Sequence, residues 1–324
     1  VTTSEEYRGG DFGSIILRSP LDWPERAEGA LSSEFAVGES FPTLALDRDL
    51  YIDRRDRTRI ITNVYAEADI IEGLSYRFNF APDLTYYDRG THTWQTSTAS
   101  VANSKTSNIL YENIVNYSKD IGTAHKIRAT GLYSVQNFRE TGSGVSVRGL
   151  PFEQQRYHNI GTAEETTSRS SYLSEWALES YMLRLNYSMK DKYIVTMTGR
   201  VDGSSRLAEG NKYGLFPSMA LAWLLDKEDF MSNNSIFDEL KLRASYGDVG
   251  NTGIDPYQTQ GRVQRVGYAF GDQSVYGFQS AELANSELRW ERTRQIDIGV
   301  DFSLWNSRVM GTFGVYQQRT IDLL

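Results

Sequence analysis

SYMLRLNYSMKDKYIVTMTGRVDGSSR, residues 180–206, repeats with a period of two. Tyr181, Leu183, Leu185 and Tyr187 fall on one face of an extended chain, with Met182, Arg184, Asn186 and Ser188 on the other. Asp191-Lys192 reads as a tight turn, after which the alternation resumes over 193–201. A helix would group its apolar residues three and four apart, and these residues are not so grouped. The stretch is a β-hairpin.

The same pattern continues outward in both directions. In 295–304, Ile296, Ile298, Val300, Phe302 and Leu304 alternate with Gln295, Asp297, Gly299, Asp301 and Ser303. In 213–225, Leu215, Met219, Leu221, Trp223 and Leu225 oppose small residues such as Ser218, Ala220 and Ala222. Alternation recurs near 61–71, 74–87, 108–118, 126–138, 239–247 and 308–318, and more weakly at 11–18. The chain therefore reads as all-β, with about ten to eleven strands. No apolar run approaches the ~18 residues of a membrane-spanning helix.

The connections alternate in length. Glu72-Gly73, Asp191-Lys192, 119–125 and 303–307 are short, whereas 19–58, 89–106, 140–175, 202–212 and 248–287 are long, with 226–237 between them. An antiparallel up-and-down sheet with one plain end and one decorated end produces this rhythm. In outer-membrane barrels the short turns face the periplasm and the long loops face outside. A soluble β-sandwich or propeller is the alternative, but its strands usually run to only about five or six residues. Charges also lie deep in the polar faces, at Glu67, Arg77, Arg128, Arg184, Arg200, Arg243, Asp297 and Asp301. Solvent on the outer face of a sandwich or water in a barrel lumen accommodates them, and a packed core does not. Tyr and Trp near strand ends, among them Tyr86, Trp176, Tyr193, Tyr213, Trp290 and Trp305, suit interfacial girdles. Pro217 inside a strand predicts a bulge or bend.

Composition narrows the function. A net charge of -8 disfavours nucleic acid, and the absence of Cys excludes disulfides and thiolate metal sites. His92, His125 and His158 are isolated in sequence and read as exposed loop or strand residues rather than metal ligands. The acidic pairs Glu5-Glu6 and Glu164-Glu165 are adjacent, so in a strand they point to opposite faces and cannot serve as paired catalytic carboxylates. A mixed-charge run, Asp47, Asp49 and Asp53 with Arg48, Arg54, Arg55 and Arg57, lacks the Gly and terminal Glu of the known calcium loop. No catalytic residue, metal site or cofactor is expected. Val1-Thr2-Thr3-Ser4 shows no basic stretch followed by an apolar core, so no signal peptide is read there.

Several words together carry a resemblance: DGSSR within 180–206, NKYGLFPSMALAW (211–223), LKLRASYGDVGN (240–251) and NSELRWERTRQIDIGVDFSLWNSRVMGTFGVYQQRTIDLL (285–324), preceded by NVYAEADIIEGLSYRFNF (63–80). In that order they resemble the barrel of SusC/RagA-type TonB-dependent transporters of Bacteroidota. The resemblance implies an outer-membrane location and a barrel of about 22 strands with a plugged lumen. Residues 1–324 then correspond to a partial TonB-dependent receptor β-barrel domain, with no match to a plug and with both barrel ends missing. The implied function is import of glycan or peptide nutrients, without enzymatic chemistry. Implied partners are a SusD-like surface lipoprotein, TonB–ExbB–ExbD acting through the plug, and outer-membrane lipid. Rival readings are a siderophore or cobalamin receptor, a soluble carbohydrate-binding sandwich and a glycoside hydrolase.

Two residue sets are candidates for that function. Tyr257, Tyr268, Phe270, Tyr276 and Phe278 in the longest outer loop offer flat faces for an oligosaccharide or peptide, or for neighbouring loops and a partner protein. Arg184, Arg200, Arg243, Asp297 and Asp301 are expected to form a lumen-facing polar wall.

Overall fold

The computed structural model describes residues 2–7, 51–232, 236–271 and 273–323. The candidate strand 11–18 and residues 19–50 of the first long connection lie outside the described residues. The strands are β1 (Thr2–Tyr7), β2 (Tyr51–Ile61), β3 (Val64–Ile71), β4 (Leu74–Thr93), β5 (Thr98–Ile121), β6 (His125–Arg148) and β7 (Glu165–Met189). They continue as β8 (Tyr193–Ser204), β9 (Tyr213–Leu224), β10 (Phe237–Asn251), β11 (Arg262–Phe270), β12 (Gln273–Glu282), β13 (Glu291–Leu304) and β14 (Val309–Ile321). The hydrogen-bonded order is β1-β2-β4-β5-β6-β7-β8-β9-β10-β13-β14, with β3 on β4 and β11–β12 as a separate pair.

The chain divides into two compact units. One comprises Val1–Thr62, Pro82–Asn108 and Arg139–Ser174, and the other Asn63–Ala81, Ile109–Phe138 and Glu175–Leu324. Strands β4 to β7 contribute residues to both.

Tight turns close the short end. Gly73 sits at φ +78° between β3 and β4, and a Cβ there would stand 2.2 Å from the Ser118 carbonyl oxygen. Only glycine satisfies both demands. Between β7 and β8 the two turn residues are Lys190 and Asp191, at φ 52° and 51°. That places the turn one residue earlier than expected, in the left-handed geometry that matches strand twist.

The strands outrun the alternation that announces them. β5 and β6 each have 24 residues and β7 has 25. The expected loops at 89–106 and 140–175 shrink to residues 94–97 and 149–164. Their flanks are polar on both faces, so no period of two shows, yet cross-strand hydroxyl and amide pairs sustain the ladder. Thr91 and Ser100 lie 2.5 Å apart, and Ser143 donates to Asn103 at 3.0 Å. β2 was likewise expected to be largely loop. Arg59 pairs with Asp83 on β4 at 2.5 Å, and Arg89 on β4 reaches back to Asp53 at 2.8 Å. Charge pairing replaces apolar alternation there.

Each unit has a small core. In the first, Ala99, Val147 and Leu150 are covered by Tyr157 and Ile160 from the 3-10 segment Glu153–Thr162. In the second, Leu207, Phe216 and Trp290 pack together beside Leu178, Ile254 and Leu288. Trp290 is thus a core residue rather than part of a girdle. Its ring meets Phe216 edge-on at 5.2 Å, and its Nε1 donates to the Lys212 carbonyl at 2.9 Å. Trp176 also turns inward on its neighbours, stacked on Phe138 at 5.2 Å with the Arg206 guanidinium 4.1 Å above it.

Pro217 produces no bulge against β8, where it pairs in register with Gly199. On its other side the β9–β10 ladder stops at Ser218. The missing N–H ends that ladder instead of bending it.

Candidate functional site

The polar faces of β7–β10, β13 and β14 merge across the second unit. Register pairs Arg184 with Thr198, Thr198 with Ser218, Ala222 with Arg243, and Ser245 with Asp297. Opposed residues in a ladder share a face, so these side chains form one surface. Arg184 Nε donates to Thr198 Oγ1 at 3.2 Å, and Asn186 to Thr196 at 2.8 Å. Arg200 binds Asp202 through Nε at 2.8 Å and buried Ser180 through Nη2 at 3.0 Å.

Arg243, Asp297 and Asp301 come together as a single knot. Arg243 Nη1 lies 2.8 Å from Asp297 and its Nε 3.3 Å from Asp301, and Lys241 reaches Asp301 at 3.1 Å. Thr312 on β14 donates at 3.1 Å to Asp301 Oδ1, the oxygen that Arg243 also reaches. The guanidinium lies flat across Gly299, where a Cβ would stand 2.8 Å from it. Gly299 was legible only as a gap in the polar face. Lys241 and Thr312, which the sequence did not single out, share that face by parity alone. Arg184 and Arg200 lie on the same face but make their own partners. The opposite face carries exposed Leu183, Leu215, Ile298, Phe313 and Val315.

The aromatic candidates split three ways. Tyr276 pairs with Gly267, and Phe278 with Arg265, so both rings share one face of the β11–β12 hairpin. The Arg265 guanidinium lies 3.3 Å from the Tyr276 ring centre. Tyr268, opposite Val275, and Phe270, opposite Gln273, lie on the other face. Tyr268 covers Gly277 so closely that a Cβ there would stand 2.5 Å from the ring. Tyr257, at φ 71°, is not on the hairpin; its hydroxyl accepts from the Glu175 backbone N–H at 2.9 Å.

The connection that carries this hairpin is tied down where it leaves β10 and where it approaches β13. Arg206 Nη1 donates to the Thr252 carbonyl at 3.1 Å, and Ala208 N–H to the Leu288 carbonyl at 3.1 Å. The hairpin strands themselves are exposed along nearly their whole length. The arrangement is a set of presented aromatic faces on an exposed hairpin whose connection is held at its two ends.

Among the described residues, no group of three or more His, Cys, Asp or Glu is arranged to hold a metal. Asp53 is instead clamped by Arg55 at 2.7 Å and Arg89 at 2.8 Å. His92 is fully buried against Trp94, ring centres 4.0 Å apart, contrary to the exposed position expected for it. His125 meets the Tyr187 hydroxyl at 2.7 Å, and His158 lies against Tyr157.

A family model described as TonB dependent receptor-like, beta-barrel, matches residues 16–324. Over 281 residues the chain is 36% identical to TonB-dependent receptor P3 of Formosa agariphila, covering 84% of this chain and 28% of that receptor. It is 32% identical over 277 residues to TonB-dependent receptor SusC of Bacteroides thetaiotaomicron, covering 78% of this chain and 26% of that one. The chain therefore spans less than a third of the length of these curated relatives. Among solved structures, the RagAB peptide importer in the 'open-open' state superposes with a TM-score of 0.76 at 20% identity, over 87% of this chain and 31% of that one. That likeness is one of fold.

Proposed function

This chain belongs to the TonB-dependent receptor-like β-barrel family of outer-membrane proteins, and from that membership we propose that it builds part of the wall of an importer of glycan or peptide fragments. Residues 1–324 form one stretch of the barrel in this reading, and the plug lies elsewhere in the protein. The observation that carries the reading is the two-sidedness of β7–β10, β13 and β14. One face bears Arg184, Arg243, Asp297 and Asp301, and the other bears apolar side chains that are exposed, among them Leu183, Leu215, Ile298 and Phe313. Water in a lumen solvates the first face, and lipid covers the second.

The long-loop end carries the recognition surface. Tyr276 and Phe278 present neighbouring rings on one face of a paired hairpin, which limits the ordering cost of gripping a ligand. Flat aromatic faces stack on sugar rings or apolar peptide side chains. A SusD-like lipoprotein caps these loops, and TonB–ExbB–ExbD supplies energy through the plug. The barrel holds and passes cargo without covalent chemistry. A siderophore or cobalamin receptor is the rival, distinguished by cargo.

The test is uptake by cells carrying the intact receptor. Deleting the gene abolishes growth on a particular glycan or peptide source, and Tyr276→Ala with Phe278→Ala lowers uptake while leaving receptor abundance unchanged. Growth dependence on an iron chelate or a corrinoid instead would overturn the proposed cargo class.

A further inference from the structure

The first unit carries a groove of its own, built on residues that the β11–β12 hairpin does not include. It consists of two adjoining cavities of about 400 and 330 Å³ that have Asp88 and Asn103 in common. Register opposes Asp88 to Asp56, Gly90 to Arg54 and Tyr86 to Thr58, so these residues stand on one face of β2 and β4. β5 adds Asn103 and Lys105, and β6 adds Ser143, whose hydroxyl donates to Asn103 Oδ1 at 3.0 Å.

Each cavity holds a tyrosine of its own. Tyr86 lines the larger, with the Lys105 ammonium 5.5 Å from its ring centre. Tyr157, from the 3-10 segment, lines the smaller and is seated over Gly90, where a Cβ would stand 2.4 Å from its ring. Among the described residues neither the Asp88 carboxylate nor the Lys105 ammonium has an ion-pair partner.

This lining suits a saccharide. A sugar ring offers an apolar face to an aromatic ring, and its hydroxyls both donate and accept. Asp88 only accepts, Lys105 only donates and Asn103 does both, so hydroxyls meet a partner in either role. Arg54 and Lys105 balance Asp56 and Asp88, which disfavours a ligand of strong net charge. The backbone disfavours a peptide. β4 and β5 are interior in the ladder order, so a groove across their face has no free edge for main-chain pairing.

We propose that this groove is a saccharide-binding site with two adjoining sugar positions, one on Tyr86 and one on Tyr157, held between them by Asp88 and Asn103. The inference goes beyond the function proposed above, because it holds whatever cargo the hairpin takes. A free oligosaccharide and the sugar head of an outer-leaflet glycolipid present the same hydroxyls, and the experiment separates them.

The test uses the intact receptor in detergent micelles with Tyr276→Ala and Phe278→Ala already in place, so that binding at the hairpin does not mask the groove. It is offered an array of neutral plant, algal and bacterial oligosaccharides and, separately, the delipidated core saccharide of the host cell's own outer-leaflet glycolipid. Binding to at least one probe is expected. Asp88→Ala with Asn103→Ala, both exposed positions, weakens it about tenfold or more, the scale of lost hydrogen bonds to a charged group. Tyr157→Ala weakens it as well and shortens the oligosaccharide preferred, while the fast-migrating folded gel form persists. Array binding assigns a free oligosaccharide, and binding of the core saccharide alone assigns the glycolipid. Binding to neither probe, or binding unmoved by the Asp88 and Asn103 substitutions, overturns the inference and leaves the cargo class to the growth test above.

Discussion

The Tyr193 hydroxyl donates to Glu228 Oε1 at 2.5 Å, tying the first residue of β8 to the connection that follows β9. Together with the Trp223 N–H and the Lys192 ammonium, that bond holds the Glu228 carboxyl at about 2, against an ordinary value of 4.5. A carboxyl depressed by folding stabilises the folded state fully above its unfolded value. The contribution is lost as pH falls through the folded one. The window is therefore from about 4.5 down to about 2. Glu228→Gln is expected to lower the temperature at which the receptor loses its fast-migrating folded gel form at pH 7. The gap between wild type and variant then narrows as the pH drops below 4.5. A gap that stays constant down to pH 3 would remove Glu228 from the account.

Arg243 joins Asp297 and Asp301, and its side chain is about a third exposed. Solvent screening places Arg243→Ala between a surface pair and a buried one, a cost of about 1–2 kcal/mol. Lys241 still serves Asp301, so Asp297 bears most of the loss, and Asp297→Asn in the Arg243→Ala background recovers part of it. Chemical denaturation in detergent micelles measures both.

Gly299→Ala would place a methyl 2.8 Å from the Arg243 guanidinium and displace it. The two substitutions are expected to couple: Gly299→Ala destabilises the wild type more than it destabilises Arg243→Ala. Additive effects within about 0.5 kcal/mol would show that the glycine is not needed for the arginine.

Gly250 faces a harder neighbour. A Cβ there would stand 2.2 Å from the Phe216 ring and 2.8 Å from Trp290, neither of which can swing aside as a flexible chain end can. Gly250→Ala is expected to cost about 1–3 kcal/mol through overpacking. The same measurement on Gly250→Ala with Phe216→Leu returns part of that loss.

On the β11–β12 hairpin the two aromatic pairs face opposite ways, so one ligand engages one pair. Replacing Tyr276 and Phe278 by alanine is expected to weaken cargo binding about tenfold or more, the scale of a lost anchor residue. Replacing Tyr268 and Phe270 is expected to leave it nearly unchanged. Calorimetry with the imported cargo on the intact receptor separates the two.

The strands with a lipid-facing side were legible because solvent differs across them. Tyr181 to Tyr187 and Ile296 to Leu304 alternate cleanly for that reason. Where both faces see water the signal vanishes, and the first half of β5, the end of β6, the first residues of β7 and the β11–β12 hairpin all extend beyond or outside what alternation marks. β2 hides behind Asp53, Arg55 and Arg59, whose stabilising partners lie on β2 itself and on β4. Among the candidate residues, Asp297 and Asp301 share a parity on β13 that predicted one face, but their meeting with Arg243 over Gly299 depends on the β10–β13 register, which no single strand encodes. Trp290 shows the converse limit. Its place at a strand end suits an interface equally well, and only the glycines at 214 and 250 make room for it in the core beside Phe216.

Adjacent residues on one strand of the barrel face water and lipid in turn. Val195, Thr196 and Met197 on β8 test this directly, because Thr196 pairs with Asn186 on the polar face while its neighbours lie on the apolar one. Each is replaced singly by cysteine in the intact receptor and exposed, in native outer membranes, to a membrane-impermeant maleimide. Labelling is expected at Thr196→Cys and protection at Val195→Cys and Met197→Cys. Met197→Cys reacting as fast as Thr196→Cys would contradict it.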